Sequence, residues 1–391
     1  MSKHNKNRFT ARVEDIEPFR VMALLARAKQ LEAQGRDIIH MEIGEPDFST
    51  AEPIIAAGQR ALAEGKTRYT QALGIPELRQ AIADWYLQRH GLTIAPERIV
   101  VTPGGSGALL LLSALLVNPG EHVLLADPGY PCNRHFLRLV EASGKLIPTG
   151  PDTRYQLSAD LVKSNWTIHT RGALVASPAN PTGEILERDD LKSLVDACRV
   201  NNGVLIVDEI YHGLTYGKPA TSVLEVADDA YVINSFSKYF GMTGWRIGWL
   251  VAPESAVPVL EKLAQNLYIS VPTISQYAAL AAFSVEAVAI HEARRAEFAR
   301  RRDYLIGALR ELGFIIPHTP DGAFYLYADV SQLCADSRIF CRDLLEEQGV
   351  AVTPGEDFGR YRADQHLRFA YTTDLPRLAE AVQRIRQFLH R

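Results

Sequence analysis

Five short clusters in the middle of the chain carry groups able to do chemistry. Thr102-Pro103-Gly104-Gly105-Ser106-Gly107 leads straight into an apolar stretch from Ala108. Free N–H groups and a helix dipole at such a start offer a site for an anion. Asp127-Pro128-Gly129-Tyr130 presents an aromatic ring, and Ser177-Pro178-Ala179-Asn180-Pro181-Thr182-Gly183 an amide. Asp208-Glu209-Ile210-Tyr211 sets an acid beside a phenol. Asn234-Ser235-Phe236-Ser237-Lys238 ends on an amine, a nucleophile once it loses its proton. Singly, each has an ordinary reading: a tight connection, a ring over a sheet end, a proline turn, a capping carboxylate, a solvated lysine.

Each cluster follows a short apolar, β-branched run: Ile99–Val101, Val123–Leu125, Ala173–Val175, Val204–Val207 and Tyr231–Ile233. Such runs, alternating with helical stretches, predict an α/β fold whose mostly parallel central sheet has helices on both faces. A further run, Ile247–Val251, lies close behind its predecessor and is compatible with an antiparallel strand. Ligands of these sheets bind beyond the carboxyl ends of the strands, so the five clusters share one rim. After about Val285 the pattern changes to a charged helix (His291 to Leu312), short strands near Gly313–Ile316, Phe324–Ala328, Val350–Thr353 and His366–Ala370, and helices at Ser337–Gln348 and from Pro376. A smaller α+β domain is expected there. The helix Pro18–Ala33 and the strand Ile38–Ile43 are expected to join it, behind a loose arm of about 17 residues. The expected division is 1–48 (arm and part of the small domain), 49–290 (large domain) and 291–391 (small domain).

Together the clusters specify a flat, anionic, electrophilic ligand. Its phosphate sits on the Gly-rich helix start, its ring stacks on Tyr130, and a protonated ring nitrogen meets Asp208. A phenolate oxygen is held by Asn180 and Tyr211, and an aldehyde reacts with Lys238. Pyridoxal 5′-phosphate has these features. At the same residues the sequence resembles the fold-type I, class I/II aminotransferases of the aspartate aminotransferase superfamily. The most specific stretch is Ser235-Phe236-Ser237-Lys238-Tyr239-Phe240-Gly241-Met242-Thr243-Gly244-Trp245-Arg246-Ile247-Gly248. The Asn180 and Asp208 clusters are similarly characteristic, as is Arg68-Tyr69 ahead of Gly74-Ile75-Pro76-Glu77-Leu78-Arg79.

The resemblance implies the fold-type I transferase fold with a smaller domain built from both chain ends. It also implies residue roles. Lys238 binds the cofactor as a Schiff base and then shuttles the proton at the substrate Cα. Asp208 keeps the pyridine nitrogen protonated, Tyr211 and Asn180 hold the ring oxygen, and Tyr130 stacks. Gly105, Ser106, Ser235 and Arg246 hold the phosphate. Arg368, in His366-Leu367-Arg368-Phe369-Ala370, grips the substrate α-carboxylate, with Asn180 and the backbone of Gly44 nearby. Tyr69 reaches the phosphate of a neighbouring subunit, implying a homodimer with composite sites. The implied reaction is ping-pong transamination between an L-amino acid and a 2-oxo acid.

Rival readings use the same scaffold. Carbon–sulfur β-lyases and cyclopropane-forming synthases share the Lys, Asp, Tyr and Arg set. Regulators of this superfamily carry a DNA-binding module, for which the short N-terminal arm leaves no room. Over 391 residues, 42 Lys+Arg against 46 Asp+Glu give a net charge of −4, with no pull toward nucleic acid or anionic membrane. The arginines of 294–302 alternate with Glu297 and neighbouring acids and read as a solvated helix face. Four cysteines, no signal-like segment and no long apolar run fit a soluble, cytoplasmic enzyme. Gly65-Lys66-Thr67 fails the Walker spacing, and Cys132 with His135 lacks a second ligand pair, so no metal is expected. No motif marks a second carboxylate-binding arginine. Phe19, Tyr239, Tyr268 and Phe324 are expected pocket walls, suiting neutral amino acids with 2-oxoglutarate or pyruvate as acceptor.

Overall fold

In the computed structural model, which describes residues 9–18 and 20–391, the chain opens with α1 (Arg20–Ala33) and the two-residue strand β1 (Ile39–His40). Phe19, an expected pocket wall, lies outside the described residues. Helices α2 (Glu52–Ala63) and α3 (Pro76–His90) precede β2 (Ile99–Thr102) and α4 (Gly104–Leu116). Then come β3 (His122–Asp127), α5 (Cys132–Leu139), β4 (Ser143–Pro148), α6 (Ala159–Asn165) and β5 (Thr170–Ala176). Next are α7 (Arg188–Arg199), β6 (Val204–Asp208), β7 (Tyr231–Ser235) and β8 (Gly248–Val251).

These seven strands form one sheet in the order β2-β8-β7-β6-β5-β3-β4. β8 runs antiparallel to both β7 and β2, and the other pairings are parallel. Apolar side chains fill both faces. Leu111, Leu112 and Leu260 of the flanking helices pack on one side, Ile82, Tyr86 and Leu194 on the other. Burial on both faces explains why the central strands read as continuous apolar runs. β4 escaped that reading because it is an edge strand carrying exposed Ser143 and half-buried Lys145.

The chain continues through α8 (Val257–Leu267), α9 (Thr273–Leu280) and the 27-residue α10 (Val285–Glu311). After them come β9 (Tyr325–Asp329), α11 (Ser337–Gln348), β10 (Val350–Ala351), β11 (Thr353–Pro354), β12 (His366–Ala370) and α12 (Leu375–Leu389). β11, β12 and β9 make an antiparallel sheet, and β1 pairs in parallel with β10 through Ile39–Val350 and His40–Ala351. The strand expected at Gly313–Ile316 is reduced to one bridge, Ile315 to Asp329, because Pro317 has no N–H to extend it.

Two expectations about charge are corrected. The α10 arginines do not form a solvated face: Arg301, 3% exposed, pairs with Asp47 at 2.8 Å and Glu297 at 3.1 Å. Arg302 donates to Pro320 O at 2.8 Å and Arg295 to Thr215 O at 3.2 Å. The helix is embraced by neighbours, so Arg295, Arg301 and Arg302 are used inward, while Arg300 stays exposed beside Glu297. Nor do residues 11–17 hang loose, since Arg12, Asp15 and Glu17 pair with Glu141, Arg138 and Arg134 beside α5. Such exposed pairs each contribute little. Among the described residues no single helix is long and apolar enough to cross a membrane.

Candidate active site

Register decides what meets at the carboxyl rim. Asp208, the last residue of β6, lies opposite Ala176 of β5 and Ile233 of β7. The Asn180 loop, the Asp208–Tyr211 turn and the Lys238 turn therefore leave side by side. Asp208 is 7% exposed, and its Oδ1 accepts the Ile210 N–H at 3.0 Å. The carboxylate thus closes a turn where a helix cap was the ordinary reading. Burial pushes its pKa up to about 7, only partly opposed by that N–H and by the Lys238 ammonium. Lys238 Nζ donates to Gly44 O at 2.6 Å. Burial brings its pKa down to about 8; Glu45 opposes the shift, and the positive field of Arg368 adds to it.

The ends of β2, β7 and β8 form the second part of the rim. Thr102 and Ser235 both pair with Gly248, which brings Gly104–Ser106, Ser235 and Arg246 together. Glycine is required where these segments close in. A Cβ on Gly104, whose φ is +71°, would lie 2.7 Å from Arg246 Nη2. Ser235 Oγ lies 3.0 Å from Ser237 Oγ and accepts the Ser237 N–H at 3.1 Å. A helix start, two hydroxyls and a guanidinium make a cradle for a doubly charged anion. Half-buried Tyr130 lines a cavity with Ala179, Asn180, Tyr155 and Phe358, and the Cys132 thiol hydrogen-bonds its phenol.

Arg368 enters from β12 and is 3% exposed. Its Nη1 donates to Asn180 Oδ1 at 3.0 Å and its Nη2 to Glu42 O, while Nε has no partner. The guanidinium is sandwiched, with Cζ 4.3 Å from the ring centroid of Tyr325 and 4.7 Å from that of Phe358. The Tyr211 hydroxyl lies 2.9 Å from the Tyr325 hydroxyl. Phe324 stays at the site, its ring centroid 5.8 Å from Lys238 Nζ.

Lys238, Asp208, Asn180, Arg368, Gly44, Tyr211 and Tyr130 are thus joined to one rim, beside Gly105, Ser106, Ser235 and Arg246. Tyr69 is not joined to them: it is 80% exposed. Tyr239 and Tyr268 are not walls of this site. Tyr239 bonds Glu292 at 2.7 Å among Trp85 and Phe240, and Tyr268 packs against the core on the α8 side. Among the described residues no cluster of three metal-ligating side chains occurs. Tyr325, Phe358 and Glu42 had no site role in the sequence reading, and Ser237 appeared there only as a member of the Lys238 cluster. Tyr325 shares a strand face with Tyr327, and it is the register pairing Tyr327 with Arg368, absent from the sequence, that brings it to the site.

The family profile described as aminotransferase class I and II matches residues 36–385. A valine–pyruvate aminotransferase of Mycobacterium tuberculosis is 40% identical over 376 residues, covering 96% of this chain and 97% of that protein. A (5-formylfuran-3-yl)methyl phosphate transaminase of Methanocaldococcus jannaschii is 36% identical, covering 97% of this chain and 99% of that protein. An aspartate aminotransferase structure from Thermus thermophilus with maleate superposes with a TM-score of 0.92 at 34% identity, covering 97% of this chain and 99% of that one. On the sequence match and the shared rim geometry, the chain belongs to the class I and II aminotransferases of the aspartate aminotransferase superfamily.

Proposed function

We propose that the protein is a pyridoxal-phosphate-dependent transaminase that passes the amino group of a neutral L-amino acid to a 2-oxo acid in two ping-pong half-reactions. The observation that carries this reading is a buried amine and a buried acid, Lys238 and Asp208, both drawn toward neutral pKa values at the rim that also holds the anion cradle. The residues fit the cofactor. A buried carboxylate with one N–H partner suits a protonated ring nitrogen, and the cradle of Gly105, Ser106, Ser235 and Arg246 suits a phosphate ester. When bound, pyridoxal phosphate supplies an electrophilic carbon and an electron sink.

The chain's own groups do the rest. Lys238, near pH 8, is partly neutral and can attack, then carry a proton at the substrate Cα. Asp208 holds its proton-bearing partner, Tyr211 and Asn180 hold the ring oxygen, and Tyr130 covers a ring face. Arg368 offers a planar fork to the α-carboxylate, with its Nε unpartnered. The valine–pyruvate relative supports neutral substrates with pyruvate as acceptor. We further infer a cytoplasmic homodimer to which Tyr69 contributes across the interface, with domains at 1–48 plus 291–391 and at 49–290.

Replacing Lys238 with Ala is expected to abolish both the visible absorbance band of the cofactor-loaded protein and turnover; retention of both overturns the reading. An amino acid added without oxo acid should leave the cofactor aminated in the wild type. Release of pyruvate and ammonia instead would identify a β-lyase.

A further inference from the structure

We propose that Tyr325 is a positioning residue that couples the phenol of Tyr211 to the guanidinium of Arg368, so that one side chain aligns the group on the cofactor's ring oxygen with the group on the substrate carboxylate. The inference rests on the roles proposed above for Tyr211 and Arg368. Tyr325 begins β9 and is 1% exposed. Its hydroxyl lies 2.9 Å from that of Tyr211, and its ring face covers Arg368 with the centroid 4.3 Å from Cζ. It also abuts the residue that receives the lysine: a Cβ built on Gly44 would fall 2.0 Å from the Tyr325 hydroxyl, and Gly44 O accepts from Lys238. Three functional groups on three different segments therefore meet one tyrosine.

Hydrogen-bond direction gives this contact a consequence. When Tyr211 donates its proton to the ring oxygen, its own oxygen is left to accept, and the Tyr325 hydroxyl is placed to donate. Donors in series polarise one another, so Tyr325 makes Tyr211 the stronger donor. A stronger donor stabilises negative charge on the ring oxygen and lowers the pH at which the lysine-bound cofactor loses its proton. Burial holds both phenols neutral. The other charged or titratable groups acting on the pair are Arg368, Asp208, Tyr130 and Lys238. The ring does separate work. It fills one side of the Arg368 sandwich whose other side is Phe358.

The two parts are separable in the cofactor-loaded enzyme. Tyr325→Phe keeps the ring and removes the hydroxyl. It is expected to raise the pH midpoint of the visible-band transition by at least about 0.5 unit, with KM for the amino acid changed less than about twofold. Tyr325→Leu also removes the ring and is expected to raise KM by roughly tenfold. The double variant Tyr211→Phe/Tyr325→Phe should titrate with the midpoint of Tyr211→Phe alone, because the hydroxyl acts through Tyr211. A Tyr325→Phe midpoint matching the wild type, or a double variant shifted beyond Tyr211→Phe, overturns the proposal. A wild type that shows no visible band with pyridoxal phosphate would instead refute the proposed function.

Discussion

At the scale of single residues the site is built from groups that the bare protein holds at a cost. Asp208 is the clearest case, because burial sets its folded pKa near 7 against 3.8 for an ordinary side chain. A raised folded pKa means that the cofactor-free native state binds the proton more tightly than the unfolded chain does. The associated stability is full below pH 4 and is lost as pH rises through 7. Asp208→Asn removes the titration and keeps an oxygen to accept from Ile210. Denaturant unfolding of the cofactor-free proteins should find the variant more stable at pH 8, by up to about 4 kcal/mol, with the gap closing toward pH 4. A less stable variant at pH 8 would show that burial does not govern this carboxyl. The rim positions of Lys238, Asp208 and Asn180 were legible in the sequence because each follows a recognisable strand, whereas Arg368 was marked only by the family resemblance. Tyr325 and Phe358 were not. Their part comes from touching Arg368, a contact fixed by strand register and a loop path rather than by any local motif.

At the scale of elements the same limit recurs: the buried strands were legible, the covered edge strand β2 among them, and the exposed edge β4 was not. β4 looked like no strand because an edge tolerates Ser143, Gly144 and Lys145, and α10 looked solvated because its partners lie far away in sequence. The turn after β3 shows what such distant contacts do. Asp127 accepts the N–H groups of Arg360 at 3.0 Å and Tyr361 at 3.1 Å, and Gly129 donates to Phe358 O at 2.9 Å. The turn that leads to Tyr130 is thereby fastened to the loop whose Phe358 packs on Arg368. Asp127→Asn has nearly the same shape but cannot accept through both side-chain atoms. It should cost about 1.5–3 kcal/mol in unfolding free energy. It should also raise KM for the amino acid more than it lowers kcat, because a loosened Phe358 would disturb the substrate grip proposed for Arg368. A KM equal to that of the wild type, alongside the stability loss, would mean that the clasp holds the fold without reaching the site.

At the scale of the whole molecule, β1 and β10 bring residues 39–40 and 350–351 together, so the Arg368 sheet and the Gly44 turn are assembled from both ends of the chain. The net charge of −4 is compatible with the proposed anionic ligands, because the cations proposed to hold them, Arg246 and Arg368, are few and placed. One residue of the resemblance has no partner within its own chain's site: Tyr69 is 80% exposed. Leu62, Leu267 and Ile269 are also open, α2 packs on α9, and Thr273 Oγ1 ties the Arg68 backbone to α9 at 2.7 Å. A second copy covering this face would explain the exposure and would place Tyr69 in the neighbouring site. The proposal can be decided by mixing two inactive or impaired chains. A hybrid of Lys238→Ala with Tyr69→Ala contains one site with both lesions and one with neither, provided that Tyr69 acts across a two-fold interface. Equal amounts, unfolded and refolded together, should recover about a quarter of wild-type activity, since half of the dimers are hybrids with one intact site each. Activity no higher than the mean of the two variants refolded separately would place Tyr69 outside the neighbour's site, leaving its exposure to some other contact.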